Sequence, residues 1–272
     1  MEKKFSKNTF GKRLSSMLSV DSRRMFTTPF FYIMLGIAVA LPVLILVMTT
    51  MMDGSVSVNP QTGAETVMEG FDYAWQIIGT TSSSSVDAGA TAGGMDMISM
   101  CNINLLYFGV AVLVCLFVSG DFKSGYTKNL FTVRAKKSDY IISKITIGFI
   151  ASAILVIGFL VGTVIGGSIA GLPFTMDGFN ASNLTMCIIS KIFLMGVFVP
   201  IYVLTSVIAK QKTWLGMVLS FAVGMLLFMM IPSLTPLDAN AMNVMLTLVG
   251  GALFSIGLGL ISKLILKKTD IL

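Results

Sequence analysis

The sequence offers few side chains that could perform catalysis. It contains no histidine, which removes the commonest general base and excludes Ser/His/Asp and Cys/His arrangements. Cys101, Cys115 and Cys187 lie in or beside apolar runs without CxxC spacing, so we expect no zinc site. Cys101 and Cys187 could pair as a disulfide, or remain small buried thiols. Gly11-Lys12 lacks the rest of a phosphate-binding loop, so we expect a non-catalytic chain that binds no metal or nucleotide.

Three polar side chains within apolar runs are candidates for lining a transport pathway. Lys191 is the one charged residue within such a run, and ionisable residues at membrane depth are functional candidates. It lies about seven residues, or roughly 10 Å, into its run, so its ammonium could instead snorkel to the outer headgroups. Asn102 and Asn104 lie at a similar depth in another run, and we predict that they face the same cavity.

A basic, turn-rich segment at 121–142 separates two long apolar runs. Ser124-Gly125 predicts a turn, and the residues from Tyr126 to Val133 can form a short helix that carries Leu130 and Phe131. Held parallel to a membrane, such a helix would offer aromatic and aliphatic side chains to a soluble partner. The alternative is a connecting loop with no partner.

The elements that must position these residues are long apolar helices. Of the 272 residues, 55% are hydrophobic and 12% are charged, which is about half the charged fraction of a soluble domain. A membrane span needs about 20 apolar residues. We therefore predict an all-α integral membrane protein, a single transmembrane domain over 1–272. Its six predicted spans are 30–52, 97–119, 145–170, 184–209, 214–232 and 243–266.

The distribution of charge predicts the orientation of these spans. All but one of the 19 Lys and Arg residues lie on the same side of the six-span arrangement, and Lys191 is the exception. The opposite loops are acidic, and the largest of them is 53–96. The positive-inside rule then places both termini in the cytoplasm. Because the basic residues lie in loops that set topology, the net charge of +6 does not indicate a nucleic-acid partner.

Residues 1–29 are predicted to form a cytoplasmic amphipathic segment. Apolar residues recur there at spacings compatible with one helical face, and Arg23 and Arg24 fall largely elsewhere. A basic amphipathic helix just before a span lies in the membrane plane. An unstructured basic tail is the alternative. The residues of the apolar face are Phe10, Leu14, Met17, Leu18, Met25 and Phe26.

Two predicted spans carry small residues at four-residue spacing, which allows another helix to approach closely. Such stripes are typical of a subunit interface or a moving helix contact, and also of ordinary packing within one bundle. The stripes are Gly158, Gly162 and Gly166 in the third span, and Gly251, Ser255 and Gly259 in the sixth.

Two stretches resemble the permease subunits of type-2 ABC exporters. Val20-Asp-Ser-Arg-Arg-Met-Phe-Thr-Thr-Pro-Phe30 is similar to that family's amphipathic connecting helix and the start of its first span. Asp121-Phe-Lys-Ser-Gly-Tyr-Thr-Lys-Asn-Leu-Phe131, followed by Ser138-Asp-Tyr-Ile-Ile-Ser-Lys144, resembles its acidic residue, glycine turn, short helix and basic re-entry. The family often has Glu and Thr near the turn, where this chain has Asp121 and Tyr126-Thr127.

The resemblance implies an ATP-driven exporter in a bacterial cell membrane. A separate ABC ATPase, which binds ATP and Mg, would grip a cytoplasmic coupling helix between spans two and three, within a coupling loop at 120–144. Two permeases, identical or homologous, and two ATPases would form the transporter. Small permeases with an Asp-Phe-Lys-Ser-Gly segment look most like those for antimicrobial peptides such as bacteriocins. The implied ATPase contacts are Asp121, Ser124, Gly125, Tyr126, Lys128, Asn129, Leu130, Phe131 and Arg134.

Two other functions remain alternatives. A secondary transporter or channel predicts carboxylates inside the membrane, and none of the 13 acidic residues is predicted to lie well inside a span. A non-transporting membrane scaffold or sensor would tolerate the loss of the ATPase.

Overall fold

The computed structural model describes residues 10–58, 65–67, 70–81, 102–133, 136–228 and 234–268. Helices form most of this part of the chain, and the only strands described are a hairpin of β1 (Val56–Val58) and β2 (Glu65–Val67). The helices are α1 (Phe10–Thr27), α2 (Pro29–Met52), α3 (Leu105–Lys123), α4 (Tyr126–Val133), α5 (Lys137–Ala170), α6 (Ala181–Ala209), α7 (Thr213–Phe228) and α8 (Ala241–Lys268).

Five of these helices, α2, α3, α5, α6 and α8, are long and apolar enough to cross a membrane. They confirm the prediction of a helical membrane protein. The fifth predicted span, 214–232, corresponds to α7, which has 16 residues and is therefore about 24 Å long, against a hydrocarbon core of about 30 Å. Residues 229–232 of that span lie outside the described part of the chain. Six crossings therefore remain a prediction.

The loop predicted at 120–144 is mostly helical. Helix α3 continues through Asp121 to Lys123, and α5 begins at Lys137, eight residues before the predicted start of the third span. The charged residues in these extensions do not end the helices, because several of them form ion pairs with α1. The end of the molecule where α1 and α4 meet these extensions is called the basic end below.

Helix α1 lies against α5 and buries Met17, Asp21 and Met25, which recur every four residues on one face. Of the residues predicted to form the apolar face, Met17 and Met25 are buried against the protein. Phe10 is 52% exposed, whereas the centre of the buried face is an aspartate. Thr28 separates α1 from α2, and Pro29 begins α2, a position where proline is favoured because its missing N–H has no helical partner.

The glycine stripe of α5 lies against α2. A Cβ added at Gly166 would lie 2.7 Å from Val43 Cα, and one added at Gly158 would lie 2.9 Å from a methyl group of Leu35. A Cβ at Gly162 would overlap the Val39 carbonyl oxygen. The absence of side chains therefore lets the two helix backbones approach within this chain.

The stripe of α8 faces α6 and α5. A Cβ on Gly251 would lie 2.9 Å from the Phe193 carbonyl oxygen, and the Ser255 hydroxyl donates to the Gly196 carbonyl oxygen at 3.0 Å. A Cβ on Gly259 would lie 3.4 Å from Ile145 Cδ1. Helix α8 thus packs tightly on α6 at Gly251 and leaves more space beside α5 at Gly259.

Part of the predicted outer loop, residues 70–81, forms a compact cap on the end of the bundle opposite the basic end. Its 3-10 helix, Ala74–Ile77, buries Ala74 and Ile77 in protein. The Ala74 amide donates to the Pro173 carbonyl oxygen at 3.0 Å, and Ile77 accepts from the Ile103 amide at 2.9 Å. The cap therefore joins the α5–α6 connection to the start of α3.

Candidate functional site

A charge cluster, formed by Asp21, Arg24, Asp121 and Lys144, lies at the basic end where α1, α3 and α5 meet; all its members are buried except Arg24, whose side chain is 36% exposed. The Lys144 ammonium lies 2.8 Å from Asp21 Oδ1 and 2.7 Å from Asp121 Oδ2. The side chains of these three residues are fully buried. A single lysine of α5 thus bridges carboxylates from two other helices.

The second cation of the cluster comes from α1. Arg24 Nη2 donates to Asp121 Oδ1 at 2.6 Å. Burial by itself would lower the pKa of the Arg24 guanidinium, but the charge and hydrogen bond of Asp121, together with the nearby Tyr126 and Asp21, outweigh burial and raise that pKa. Two carboxylates and two cations therefore meet in one charge-balanced group.

Neutral groups complete the hydrogen bonding of both carboxylates. The Ser143 hydroxyl donates to Asp21 Oδ2 at 2.6 Å, and the Tyr140 hydroxyl donates to Asp121 Oδ2 at 3.2 Å. The ammonium of Lys144 also lies 3.8 Å from the centroid of the Phe117 ring. Buried charges are tolerated when they are paired and their remaining atoms are hydrogen-bonded. The two carboxylates meet both conditions, whereas the buried Nη1 of Arg24 has no hydrogen-bond partner among the described residues.

A separate ion pair joins the first turns of α1 and α5. Arg13 Nε donates to Asp139 Oδ2 at 3.2 Å, and the Asp139 side chain is 2% exposed. Together with the cluster, this pair fixes α1 along about two turns, the distance from Arg13 to Asp21.

Helix α4 contacts the charge cluster directly. Gly125, with φ of 70°, makes the left-handed turn after α3, a conformation that a side chain would disfavour. The Thr127 hydroxyl donates to the Asp121 carbonyl oxygen at 3.2 Å. The Arg24 guanidinium lies 4.1 Å from the Tyr126 ring centroid, a cation–π contact. A displacement of α4 therefore acts on Asp121 and Arg24 together.

The predicted docking face of α4 needs correction. Leu130 and Phe131 were expected to point away from the protein, but both are half-buried against the core, and Phe131 meets the Tyr140 ring edge-on at 5.6 Å. They turn inward because apolar burial is available there. Lys128 and Asn129 form the exposed face with Thr132. Ser124 is exposed in the preceding turn, and Arg134 lies outside the described residues.

Lys191 points into the protein near the capped end. It is 2% exposed, and its ammonium donates to the Thr235 hydroxyl at 2.9 Å. Within the described ranges no carboxylate forms an ion pair with it. Snorkelling to headgroups was one of the two predicted arrangements, and this burial within protein differs from it.

The two predicted asparagines are buried at the same end. Asn102 is 6% and Asn104 3% exposed, and Asn102 Oδ1 accepts from the Asn104 amide at 2.9 Å. They flank a residue that contacts the cap segment. The residue between them, Ile103, donates to Ile77, and a Cβ on Gly79 would lie 3.8 Å from the Lys191 ammonium.

From these residues a polar column continues between α3, α6 and α7. Tyr107 lies 4.6 Å, centroid to centroid, from Phe198, which in turn lies 6.0 Å from Tyr202. Further towards the basic end, the Ser220 hydroxyl lies 2.6 Å from Thr205 Oγ1 and 3.2 Å from Cys115 Sγ. The column is defined here as Asn104, Tyr107, Cys115, Lys191, Tyr202, Thr205 and Ser220.

Several atoms of this column have no hydrogen-bond partner among the described residues. They are Asn104 Oδ1 and the hydroxyl groups of Tyr107 and Tyr202. Leaving such an atom unpaired costs about 1–3 kcal/mol, so buried orphan groups call for an explanation. Partners that enter from solution, such as water or a transported compound, would satisfy them.

Sequence reasoning missed the charge cluster as a unit. The sequence places Asp21 only in the amphipathic segment at 1–29, and Lys144 only in the basic re-entry and among the basic residues that determine topology. A signal was present, because Asp21 falls at the four-residue spacing of Met17 and Met25. The pairing of that aspartate with residues more than 100 positions away could not be read from local spacing.

Cys187 also lies in this region, where its thiol donates to the Thr235 carbonyl oxygen at 3.5 Å. Cys101, its proposed disulfide partner, lies outside the described residues, so the disulfide remains a prediction.

Comparison with known families gives one match. Residues 27–227 match the family model described as ABC-2 family transporter protein, and the matched range covers well over half of the chain. It extends from the last residue of α1 to α7 and includes α4, part of the charge cluster and the polar column. Neither a search of the curated proteins nor a search of the solved structures found a match.

Proposed function

Because the chain belongs to the ABC-2 family of transporter proteins, we propose that this multi-pass membrane subunit is driven by a separate ABC ATPase through α4. The proposed complex contains two ATPases, which bind ATP and Mg, and two permeases. The proposed orientation places both termini and α4 in the cytoplasm of a bacterial cell, with α7 as the sixth span. The cap then faces outward.

The charge cluster is the observation that supports this coupling. An ATPase that closes on ATP would push on the exposed face of α4. Thr127 and Tyr126 connect that helix to Asp121 and Arg24, and Lys144 connects Asp121 to α5 and α1. Breaking a buried ion pair costs about 3–5 kcal/mol. The ends of α1, α3 and α5 would therefore move with α4 as one body.

The polar column is the proposed pathway. It contains the predicted residues Lys191 and Asn104 at the capped end, with Asn102 beside them, and it is lined by orphan polar atoms that a substrate could satisfy. Its mixture of hydroxyl, amide and aromatic groups suits a peptide or another amphipathic compound. The cap closes this column at the outer side, so export requires the cap segment around Gly79 to move.

The test of this function is co-purification from native membranes in a mild detergent, followed by mass spectrometry. We expect an ABC ATPase to accompany the wild-type chain and to be lost from Lys128→Glu/Asn129→Arg, because both substituted side chains are exposed on α4. The matched control is Lys212→Glu/Gln211→Arg, the same charge changes on exposed residues between α6 and α7, which should keep the ATPase.

If the wild-type chain brings down no ATPase, the exporter proposal fails and a scaffold or sensor takes its place. Equal loss from both double variants would also contradict coupling through α4, because it would indicate a general effect of charge.

A further inference from the structure

A groove of about 620 Å³ opens between α5, α6 and α8. Its walls are almost entirely apolar, with Ile145 and Phe149 on α5 facing Ala252 and Ile256 on α8. At one end the groove is closed by the contact between Gly196 and the α8 stripe described above. At the basic end it is bounded by a hydrogen bond of 2.6 Å from the Lys137 ammonium to the Leu266 carbonyl oxygen.

On α5 the groove has the length of one leaflet. Its lining there runs from Ser138 to Phe149, which is about 16 Å along a helix, and half of a hydrocarbon core is about 15 Å. On α8 the lining extends further, from Leu248 to Lys263, or about 22 Å. It opens sideways between helices α5 and α8, both of which are candidate membrane spans. An acyl chain could therefore enter from the surrounding lipid without leaving the membrane.

The basic end of the groove carries two ammonium groups. Lys263 lines it, and Lys137 lies at its boundary. Within the described ranges neither forms an ion pair. The nearest carboxylate in sequence, Asp139, is engaged by Arg13 and by the Ser138 hydroxyl. The headgroup level of the groove is therefore positively charged and lacks a counter-ion from the protein.

We propose that this groove is a binding site for an anionic phospholipid. One acyl chain lies between α5 and α8, and the phosphate lies at the ammonium groups of Lys263 and Lys137. The apolar walls recognise the chain, while the charge selects an anionic over a zwitterionic headgroup. This inference goes beyond the proposed export function and does not depend on the ATPase.

The test uses native mass spectrometry on the purified full-length chain, titrated with phosphatidylglycerol and phosphatidylcholine of the same acyl composition. We expect preferential binding of phosphatidylglycerol. Lys263→Gln should weaken that binding about fivefold, the equivalent of about 1 kcal/mol for one lysine near a lipid surface. Lys268→Gln is the matched control, since Lys268 is exposed on the same helix and lies outside the groove. It should bind as the wild type does.

A second pair of variants tests the acyl-chain site. Gly259→Leu places a side chain in the groove, where a Cβ already lies 3.4 Å from Ile145 Cδ1, whereas Gly257→Leu extends into open space because nothing lies within 4 Å of its added Cβ. We expect Gly259→Leu to abolish the binding of phosphatidylglycerol and Gly257→Leu to preserve it.

Three results would overturn the proposal. One is equal binding of the two lipids by the wild type, and another is an equal effect of Lys263→Gln and Lys268→Gln, which would show a surface charge effect. The third is a lipid-free dimer that Gly259→Leu dissociates, which would mean that a second copy of this chain fills the groove. Lys263→Gln leaves the packing of α8 untouched, so the headgroup test stands even if Gly259→Leu fails to fold.

Discussion

At the residue scale, the described part of the chain contains two buried lysines in very different surroundings. Lys144 is bridged by two carboxylates, so its charge is compensated, and its removal would leave the two carboxylates with Arg24 as their remaining cation. The partner of Lys191 is the Thr235 hydroxyl, so its desolvated charge is not compensated by an ion pair in the described part of the chain. A buried charge of the first kind supports structure, whereas the second kind indicates function.

Removing the Lys144 ammonium is expected to destabilise the protein strongly. Lys144→Met should lower the free energy of unfolding by about 3–5 kcal/mol, because it leaves two carboxylates buried without their shared cation. Thermal unfolding in detergent measures this loss, with Lys123→Met, an exposed lysine at the end of α3, as the control. Adding Asp21→Asn to Lys144→Met should recover part of the stability, since the two residues are coupled. Strictly additive effects would argue against a bridging lysine.

Removing the Lys191 ammonium is expected to have the opposite effect on stability. Lys191→Met keeps the length of the side chain and relieves an uncompensated buried charge, so the unfolding temperature should stay the same or rise. Export should fall at least tenfold, measured as ATP-dependent uptake of amphipathic peptides into inside-out vesicles. Ile192→Met is the control at the neighbouring position. Unchanged export by Lys191→Met would show that Lys191 does not act in the transport pathway.

At the element scale, helix contacts depend on which residues are small. The α2–α5 contact requires glycine where the α5 backbone meets Val39 and Val43, and a side chain at Gly162 would overlap the Val39 carbonyl oxygen. Backbone atoms cannot move aside as a flexible side chain can, so the overlap would have to be relieved by separating the helices. The same stripe could serve a partner subunit only if α2 left it.

Gly162→Leu is therefore expected to separate α2 from α5. Overpacking typically costs about 1–3 kcal/mol, and a clash with backbone should fall at or above the upper end of that range. The matched control is Gly36→Leu, on α2, where nothing lies within 4 Å of an added Cβ. Size-exclusion chromatography and thermal unfolding compare the two variants. Equal stability of the two would show that the stripe does not pack against α2.

At the scale of the whole molecule, the two ends of the helix bundle differ in their charge and in whether they are closed. The basic end gathers α1, α4 and the charge cluster, while the other end is closed by the cap and by residues 234–239. The Leu237 amide donates to the Thr80 carbonyl oxygen at 2.9 Å, and Asp53 Oδ1 accepts from the Gly70 amide at 2.9 Å. Movement at one end can reach the other through α3, α5 and α6, which span the distance between them.

The six-span arrangement predicts the position of each loop relative to the membrane. Alkaline phosphatase, which is active only outside the cytoplasm, should be active when fused after Ala239 and inactive when fused after Lys212 or at the C-terminus. These positions flank α7 and α8. If α7 does not cross the membrane, the fusions after Lys212 and Ala239 will behave alike.

The sequence by itself determined the membrane class of this protein and most of its helices. Apolar runs of about 20 residues are a local property, because the hydrocarbon core requires them regardless of the neighbouring helices. For the same reason the bounds of α2 and α6 lie within three residues of their predicted spans. The family resemblance also rests on local order and spacing, and the match over residues 27–227 supports it as far as the ABC-2 family.

Only the tertiary structure decided which polar residues meet. Asp21 pairs with Lys144, and Arg24 pairs with Asp121, across more than 90 positions. No local pattern specifies such pairs, because they depend on how α1 folds back onto α3 and α5. The inward turn of Phe131 has the same cause, since a half-apolar helix buries whichever face finds a neighbour, and that neighbour, Tyr140, is supplied by another helix. Whether a helix forms depends on the residues of that segment. Which residues of other helices it contacts depends on how the whole bundle packs.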